Sequence, residues 1–404
     1  MAAPLDVNVI DVTKSPYTAD PTGATDSTTT IQNALNDAVS GRKSVFIPQG
    51  IYWIQNELTL ASAFGVDIFG EGTSETADQG ATLGPRTVLF GGANMAKAFI
   101  LNLDKVGGCT VRDIHFLARK SGSSLTPPTS LLQIVKSTDG VGTGLITLRN
   151  VKFSGYSGYT GTAVSVGVSG QNNCADILYE RLGLANLGTG IQLNNTQSVN
   201  HLILQLNATS VKTVIRVVRG GCVHVHMANL TACGQDDEDD LDALYAFEFV
   251  PASGAEDSPL VAMNSLRGVR FEALADGSNK TARVLRAEGN QSIAVYDMLE
   301  AQDAAGDNGP LMLVRGASLS LFNSRFKTKP LVGIRFLTGA YWGTARAIAC
   351  HFEDNATDFP HDEWLVLQTS SEVARAYSLC VRSKYPTGSI VHNEPIADES
   401  TTPW

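Results

Sequence analysis

A six-residue frame, apolar-x-x-apolar-x-apolar, recurs along the chain and limits what it can fold into. It stands at VRDIHF (Val111 to Phe116), LRNVKF (Leu148 to Phe153), LRGVRF (Leu266 to Phe271) and LFNSRF (Leu321 to Phe326). Looser copies are YERLGL (from Tyr179), ILQLNA (from Ile203), MANLTA (from Met227), VYDMLE (from Val295) and AIACHF (from Ala347). Their last residues fall at 116, 153, 184, 208, 232, 271, 300, 326 and 352, so the spacings are 37, 31, 24, 24, 39, 29, 26 and 26. A steady minimum with excesses is the mark of a structural repeat whose loops vary. The third residue of the frame reads Asp113, Asn150, Arg181, Gln205, Asn229, Gly268, Asp297, Asn323 and Ala349, of which six are Asn, Asp or Gly. Those types tolerate a left-handed backbone, which two short strands need where they meet at a tight bend. Asp113 and Asp297 therefore read as structural turns.

A second alternating strand precedes each copy: LQI at Leu132, VSV at Val164, IQL at Ile191, IRV at Ile215, FEF at Phe247, LML at Leu311, IRF at Ile334 and LVL at Leu365. Turns such as NNTQSVN, RGGC, EGNQS and RGAS join the two. One unit thus reads strand, turn, strand, bend, strand, variable loop, with apolar residues inward and polar ones outward. This predicts an all-β, single-stranded parallel β-helix of about ten coils. A sandwich or barrel would not hold an Asn-type residue at one fixed phase of a coil-length period.

An open solenoid must cover its ends. DSTTTIQNALNDAVSG, from Asp26, opens on helix N-cap residues, ends at Gly41 and places Ile31, Ala34, Leu35 and Ala38 on one face. SVFIPQGIYWI follows as the first strands. Residues 1–60 are predicted to form this cap module, 61–385 the β-helix and 386–404 a polar tail.

With 38 glycines and 17% charged residues, the 404-residue chain suits a turn-dense β protein better than a helical one. A net charge of −10 argues against nucleic acid as the main partner. MAAPLDVNVIDV shows no secretory signal pattern, and no apolar run is long enough to span a membrane. The six cysteines (Cys109, Cys174, Cys222, Cys233, Cys350, Cys380) contain no CxxC pair and read as buried free thiols.

The opening segment resembles the first module of pectate-lyase-like, glycosidase-family-28-like β-helix proteins. The residues that carry the resemblance are Asp20 to Asp26 (DPTGATD), Ile31 to Leu35 (IQNAL) and Val45 to Tyr52 (VFIPQGIY). The resemblance implies a right-handed β-helix, and among its members bacteriophage tailspikes and tail depolymerases fit best. It further implies a homotrimer on a virion tail, and a bacterial capsule or O-chain polysaccharide as partner. The chain departs from the polygalacturonase pattern, since neither Asn-Thr-Asp nor Gly-His-Gly occurs.

β-Helix enzymes of this kind hold substrate along the outward face of the strand that follows the variable loop. The outward residues there are Gln133, Ser165, Gln192, Arg216, Glu248, Met312, Arg335 and Val366. Gln192, Arg216 and Arg335 are candidate sugar-binding residues, because paired donors suit hydroxyls and carboxylates. Tyr156 and Tyr159, in GYSGYTG, offer stacking surfaces. Glu248 is the leading catalytic candidate: Phe247 and Phe249 point inward, so Glu248 points out, with Arg216 one coil away. The acidic run DDEDDLD just upstream supplies Asp237 and Asp240 as candidates for the second carboxylate of a glycosidase. The run has no EF-hand spacing, no cofactor is expected, and a structural calcium ion is the one metal it suits. His224 and His226 read as outward polar residues, and Leu204, Ala228, Phe322 and Ile348 as outward apolar residues that invite side-by-side packing. The expected function is glycan depolymerisation by hydrolysis. A lyase acting on a uronate, or a non-catalytic glycan-binding or structural tail protein, are the alternatives.

Overall fold

The computed structural model describes residues 8–73, 86–91, 99–118, 127–137, 142–168, 173–236, 244–251, 262–272, 281–300, 310–326, 332–337, 343–352, 363–368 and 376–381. The expected tail, 386–404, lies outside them. The chain divides into two compact units, Met1–Asn207 and Ala208–Trp404. Both are parallel β-helices.

In the first unit each coil visits three parallel sheets. Sheet I contains Leu58–Ala61, Phe99–Asp104, Ser130–Val135, Thr162–Val166 and the end of Cys174–Asn194. Its inward columns are apolar: Leu58, Leu101, Leu132, Val164 and Ile191 lie in register, as do Leu60, Leu103, Ile134, Val166 and Leu193. All ten are buried. Sheet II runs from Val9–Asp11 through Ser44–Phe46, Ile68–Phe69 and Thr110–Arg112 to the first halves of Thr143–Ser154 and Cys174–Asn194. Sheet III joins Gly50–Ile54, Thr87–Gly91, His115–Ala118 and the second halves of those two long strands. Inside it, Phe116 and Phe153 stack with ring centroids 5.2 Å apart.

The second unit repeats the order. Its sheet I columns are Ile215, Phe247, Leu285, Met312, Ile334 and Leu365, and Val217, Phe249, Ala287, Val314, Phe336 and Leu367. One pairing is antiparallel, between Gln235–Asp236 and Thr281–Ala282.

Bends between sheets II and III fall where the sequence frame puts them in eight cases out of nine. Asp113, Asn150, Arg181, Gln205, Gly268, Asp297, Asn323 and Ala349 all have φ between 46° and 64°. The ninth is a correction. Met227 (φ 60°), not Asn229, takes the left-handed conformation, in line with Gly268 of the next coil. The true frame there is VHMANL, two residues earlier, and it turns Ala228 inward, where it is buried instead of facing out. Asn side chains tie successive bends: Asn150 Nδ2 donates to Asp113 Oδ1 at 2.7 Å and Asn323 Nδ2 to Asp297 Oδ1 at 2.8 Å, and at a separate left-handed column before the bends Asn200 Nδ2 donates to Asp176 Oδ1 at 2.8 Å. Replacing Asn150 with Ala removes a hydrogen bond to a charged acceptor and puts a β-carbon residue without local polar support at positive φ. The expected cost is about 1–3 kcal/mol, read as a lower thermal midpoint at a fixed scan rate. An unchanged midpoint would show that the ladder contributes nothing.

The capping helix α1, Thr28–Gly41, buries Ile31, Ala34, Leu35 and Ala38, as its pattern predicts. Its Gln32 side chain stands in for a strand residue. Gln32 Nε2 donates to Thr59 O at 2.9 Å, and Thr59 N–H donates back to Gln32 Oε1 at 2.8 Å. The first strand of sheet I therefore has its edge satisfied by a helix.

Candidate active site

The residue between the two inward columns of each sheet I strand faces outward. In the first unit this column is Thr59, Asn102, Gln133, Ser165 and Gln192, a row of uncharged polar side chains in register. Gln192 is half-buried, as its place on this row allows. Tyr159 departs from expectation: it is buried, with its hydroxyl donating to Pro128 O, so it packs a loop instead of offering a stacking face. Tyr156 is half-buried against it, at 5.4 Å between centroids.

In the second unit the column reads Arg216, Glu248, Arg286, Leu313, Arg335 and Val366. Arg335 holds its expected register position; its side chain, like Asp237 and Asp240, lies outside the described residues. Met312 is corrected: it pairs with Leu285 in the core, and Leu313 takes the outward position. Arg286 was missed, together with Glu288 and Arg315 on the same face. Their signal was the alternation in LRAEG, directly before a turn already recognised.

Glu248 faces away from the core but is only 3% exposed, a second departure from the open carboxylate expected. Its Oε1 accepts the Tyr245 N–H at 3.1 Å. Its Oε2 lies 3.3 Å from Arg216 Nε in an ion pair. That N–H is not aligned on the oxygen, so the contact is electrostatic and not a hydrogen bond. Burial raises the Glu248 pKa, while the Tyr245 N–H and the charges of Arg216 and Arg286 oppose the rise. The Arg216 side chain is 44% exposed, so its pull is screened by water. Beyond Arg286, Glu288 accepts from Arg286 Nε at 2.7 Å and pairs with Arg315 at 3.5 Å. Among the described residues the face therefore alternates Arg216, Glu248, Arg286, Glu288 and Arg315.

Tyr245, which fixes Glu248, is held in turn by its own surroundings. The fully buried Arg283 lies over its ring, 5.7 Å from the centroid. Arg283 N–H donates to Gly234 O and Ala246 N–H donates to Arg283 O. Gly234 has φ 65°, and a β-carbon there would lie 2.4 Å from Arg283 O. The stem of the acidic segment, Gln235–Asp236, is pinned by its pairing with Thr281–Ala282.

Among the described residues no group of three or more His, Cys, Asp or Glu could hold a metal ion. His224 and His226 are half-buried on the outer face of sheet II, His224 Nδ1 lying 2.8 Å from Ser265 Oγ. Cys109, Cys174, Cys222, Cys233 and Cys350 are free thiols.

The family model for rhamnogalacturonase A/epimerase, pectate lyase-like proteins matches residues 9–235, more than half of the chain. The chain belongs to that family. No curated protein sequence matches this pectate-lyase-like chain. Three solved structures are similar to it in fold. The enzymatically active domain of bacteriophage CBA120 tailspike protein 2 has a TM-score of 0.52 at 9% identity, over 93% of this chain and 47% of that one. The A-module of an Azotobacter vinelandii mannuronan C-5 epimerase scores 0.51 at 10% identity, over 93% and 99%. The catalytic unit of a Streptomyces thermodiastaticus α-1,3-glucanase scores 0.50 at 14%, over 95% and 70%. At these identities the likeness is one of fold. No helix of the described residues is long and apolar enough to cross a membrane.

Proposed function

We propose that this pectate-lyase-like chain is a polysaccharide depolymerase that cleaves a bacterial surface glycan by hydrolysis, with Glu248 as the acid. The observation that carries the reading is the Glu248 carboxyl, turned out of the core yet buried, with a raised pKa. A protonated carboxyl is what a glycosidic oxygen needs as it leaves. Glu288 supplies the second carboxylate. It lies two residues beyond the register partner of Glu248, a diagonal that puts the two backbones about 7–8 Å apart. In the reaction the glycosidic C–O bond breaks and the Glu248 proton passes to the leaving oxygen. A water adds to the sugar carbon and gives its own proton to Glu288. Arg216, Arg286 and Arg315, on the same face of the second unit as Glu248, bind polar or anionic groups of the glycan. A phage-tail setting and assembly as a trimer belong to the same reading, as the resemblance of the opening segment implies, and light scattering tests the trimer.

A second reading has its own observation. Glu248 is 3% exposed and both of its oxygens are engaged, which is also how a carboxylate that only fixes a strand would look. Such a protein would bind glycan without turnover. Incubation with capsular and O-chain polysaccharides separates the readings. Hydrolysis gives new reducing ends without the absorbance of an unsaturated uronate; a lyase gives that absorbance. Saturable binding with no shortening of any glycan would leave the adhesive reading in place.

A further inference from the structure

The first unit carries a polar cluster that plays no part in this chemistry. Phe116 points inward, so its neighbour His115 faces out from sheet III. Lys152 is its register partner in the next coil, and Ser154 follows two residues on. In the preceding coil Val88 is in register with His115, and Arg86 stands two residues before Val88 on the same face. All four polar residues are buried: His115 is 3% exposed, Arg86 7%, Lys152 9% and Ser154 0%.

The cluster is unbalanced in two ways. Arg86 makes no side-chain hydrogen bond or ion pair with the described residues, and burial alone acts on its guanidinium, lowering its pKa. An arginine keeps its proton even so, and a buried cation without a counter-charge is costly. His115 Nε2 lies 3.0 Å from Ser154 Oγ, while its Nδ1 is buried without a hydrogen-bond partner among the described residues. Burial and the charges of Lys152 and Arg86 keep the ring neutral, with its pKa pushed down to about 3. A neutral imidazole has one N–H. With the Ser154 hydroxyl donating to Nε2, that N–H sits on Nδ1 and points to an acceptor that the described residues do not supply. Arg86 and Nδ1–H are then both donors seeking an acceptor, beside the ammonium of Lys152.

We infer that Arg86, His115 and Lys152 form a binding site for a small oxyanion of the phosphate or sulfate type, free or esterified to a sugar. The anion accepts from the guanidinium and from Nδ1–H, and neutralises the buried charge of Arg86. This site does not depend on Glu248 or on glycan cleavage, so either can fail without the other.

The test is calorimetric titration of the full chain with inorganic phosphate and, in a parallel arm, glucose 6-phosphate, each against sodium chloride at matched ionic strength. One saturable site per chain is expected, with affinity lowered about tenfold or more in Arg86→Gln and Lys152→Gln. Tighter binding of the ester would identify a sugar phosphate as the natural ligand, and equal or weaker binding the free anion. In the wild-type protein, the 15N resonances of the His115 ring should show protonation at Nδ1 and shift on adding phosphate, which decides the matter even if a variant fails to fold. No saturable heat above the chloride control, undiminished affinity in folded variants, or an unmoved His115 resonance would each overturn the site.

Discussion

Replacing Glu248 with glutamine is expected to lower glycan cleavage by a factor on the order of 10²–10⁴, the usual contribution of a positioned general acid, without unfolding the chain. Glutamine keeps an oxygen that can accept the Tyr245 N–H, so the local backbone retains its anchor. It loses the proton that must reach the leaving oxygen. The ion pair with Arg216 is lost as well, but that side chain is 44% exposed and remains solvated. Stability has a defined sign. A carboxyl whose folded pKa is raised stabilises the fold at low pH, and that contribution is lost as pH rises through the folded value. Glutamine has no charged form to bury, so the neutral-pH midpoint should be no lower than in the wild type. The pH–rate profile should lose its alkaline limb, because deprotonation of Glu248 is what sets it. An E248Q protein that cleaves as fast as the wild type, with the same profile, would assign Glu248 a structural role.

Acidification from pH 7.5 to 5 is expected to destabilise the first unit by roughly 4 kcal/mol, at about 1.4 kcal/mol per pH unit for each of two buried histidines. His115 and His201 both have pKa values pushed down to about 3, burial being the largest cause. His201 is fixed as a neutral ring by Tyr179 Oη, 3.2 Å from Nδ1, and Ser198 Oγ, 3.0 Å from Nε2. In the unfolded chain both would take up a proton near the ordinary value of 6.5. Stability is thus whole above about pH 6.5, falls as pH drops below it, and stops falling only near 3. Carboxylates such as Asp20, whose pKa is lowered by hydrogen bonds from Thr22 and Thr25, act in a lower window. Urea midpoints taken between pH 8 and 5 should show the slope, and His201→Gln, if it folds, should halve it. A flat curve over that range would mean that the two rings are not held neutral.

The bends were legible because they answer to a local rule. A left-handed residue with an apolar frame around it leaves the same trace at Asp113, Asn150, Gly268 and Asn323. Met227 broke the reading, since methionine carries no left-handed signature and Asn229, two residues on, supplied a false one. Met312 failed for a related reason: Leu311 to Val314 are all buried, so PLMLVR has no alternation from which to take a phase. The outward direction of Glu248 followed from its phenylalanine neighbours. Its burial did not, because what surrounds an outward side chain comes from distant segments with no periodic relation to it. The same holds for His115 and Arg86, which looked unremarkable in sequence and meet only through the stacking of coils.

The Gln32 amide that pairs with Thr59 has a consequence for how this chain can be cut or joined. Any parallel coil added in front of Leu58–Ala61 would compete for the hydrogen bonds that Gln32 makes. A fragment lacking the helix would present that coil end as a template for further copies of itself, and end-to-end polymerisation is its natural failure. One glutamine on one helix turn thus marks where the stack of coils stops growing.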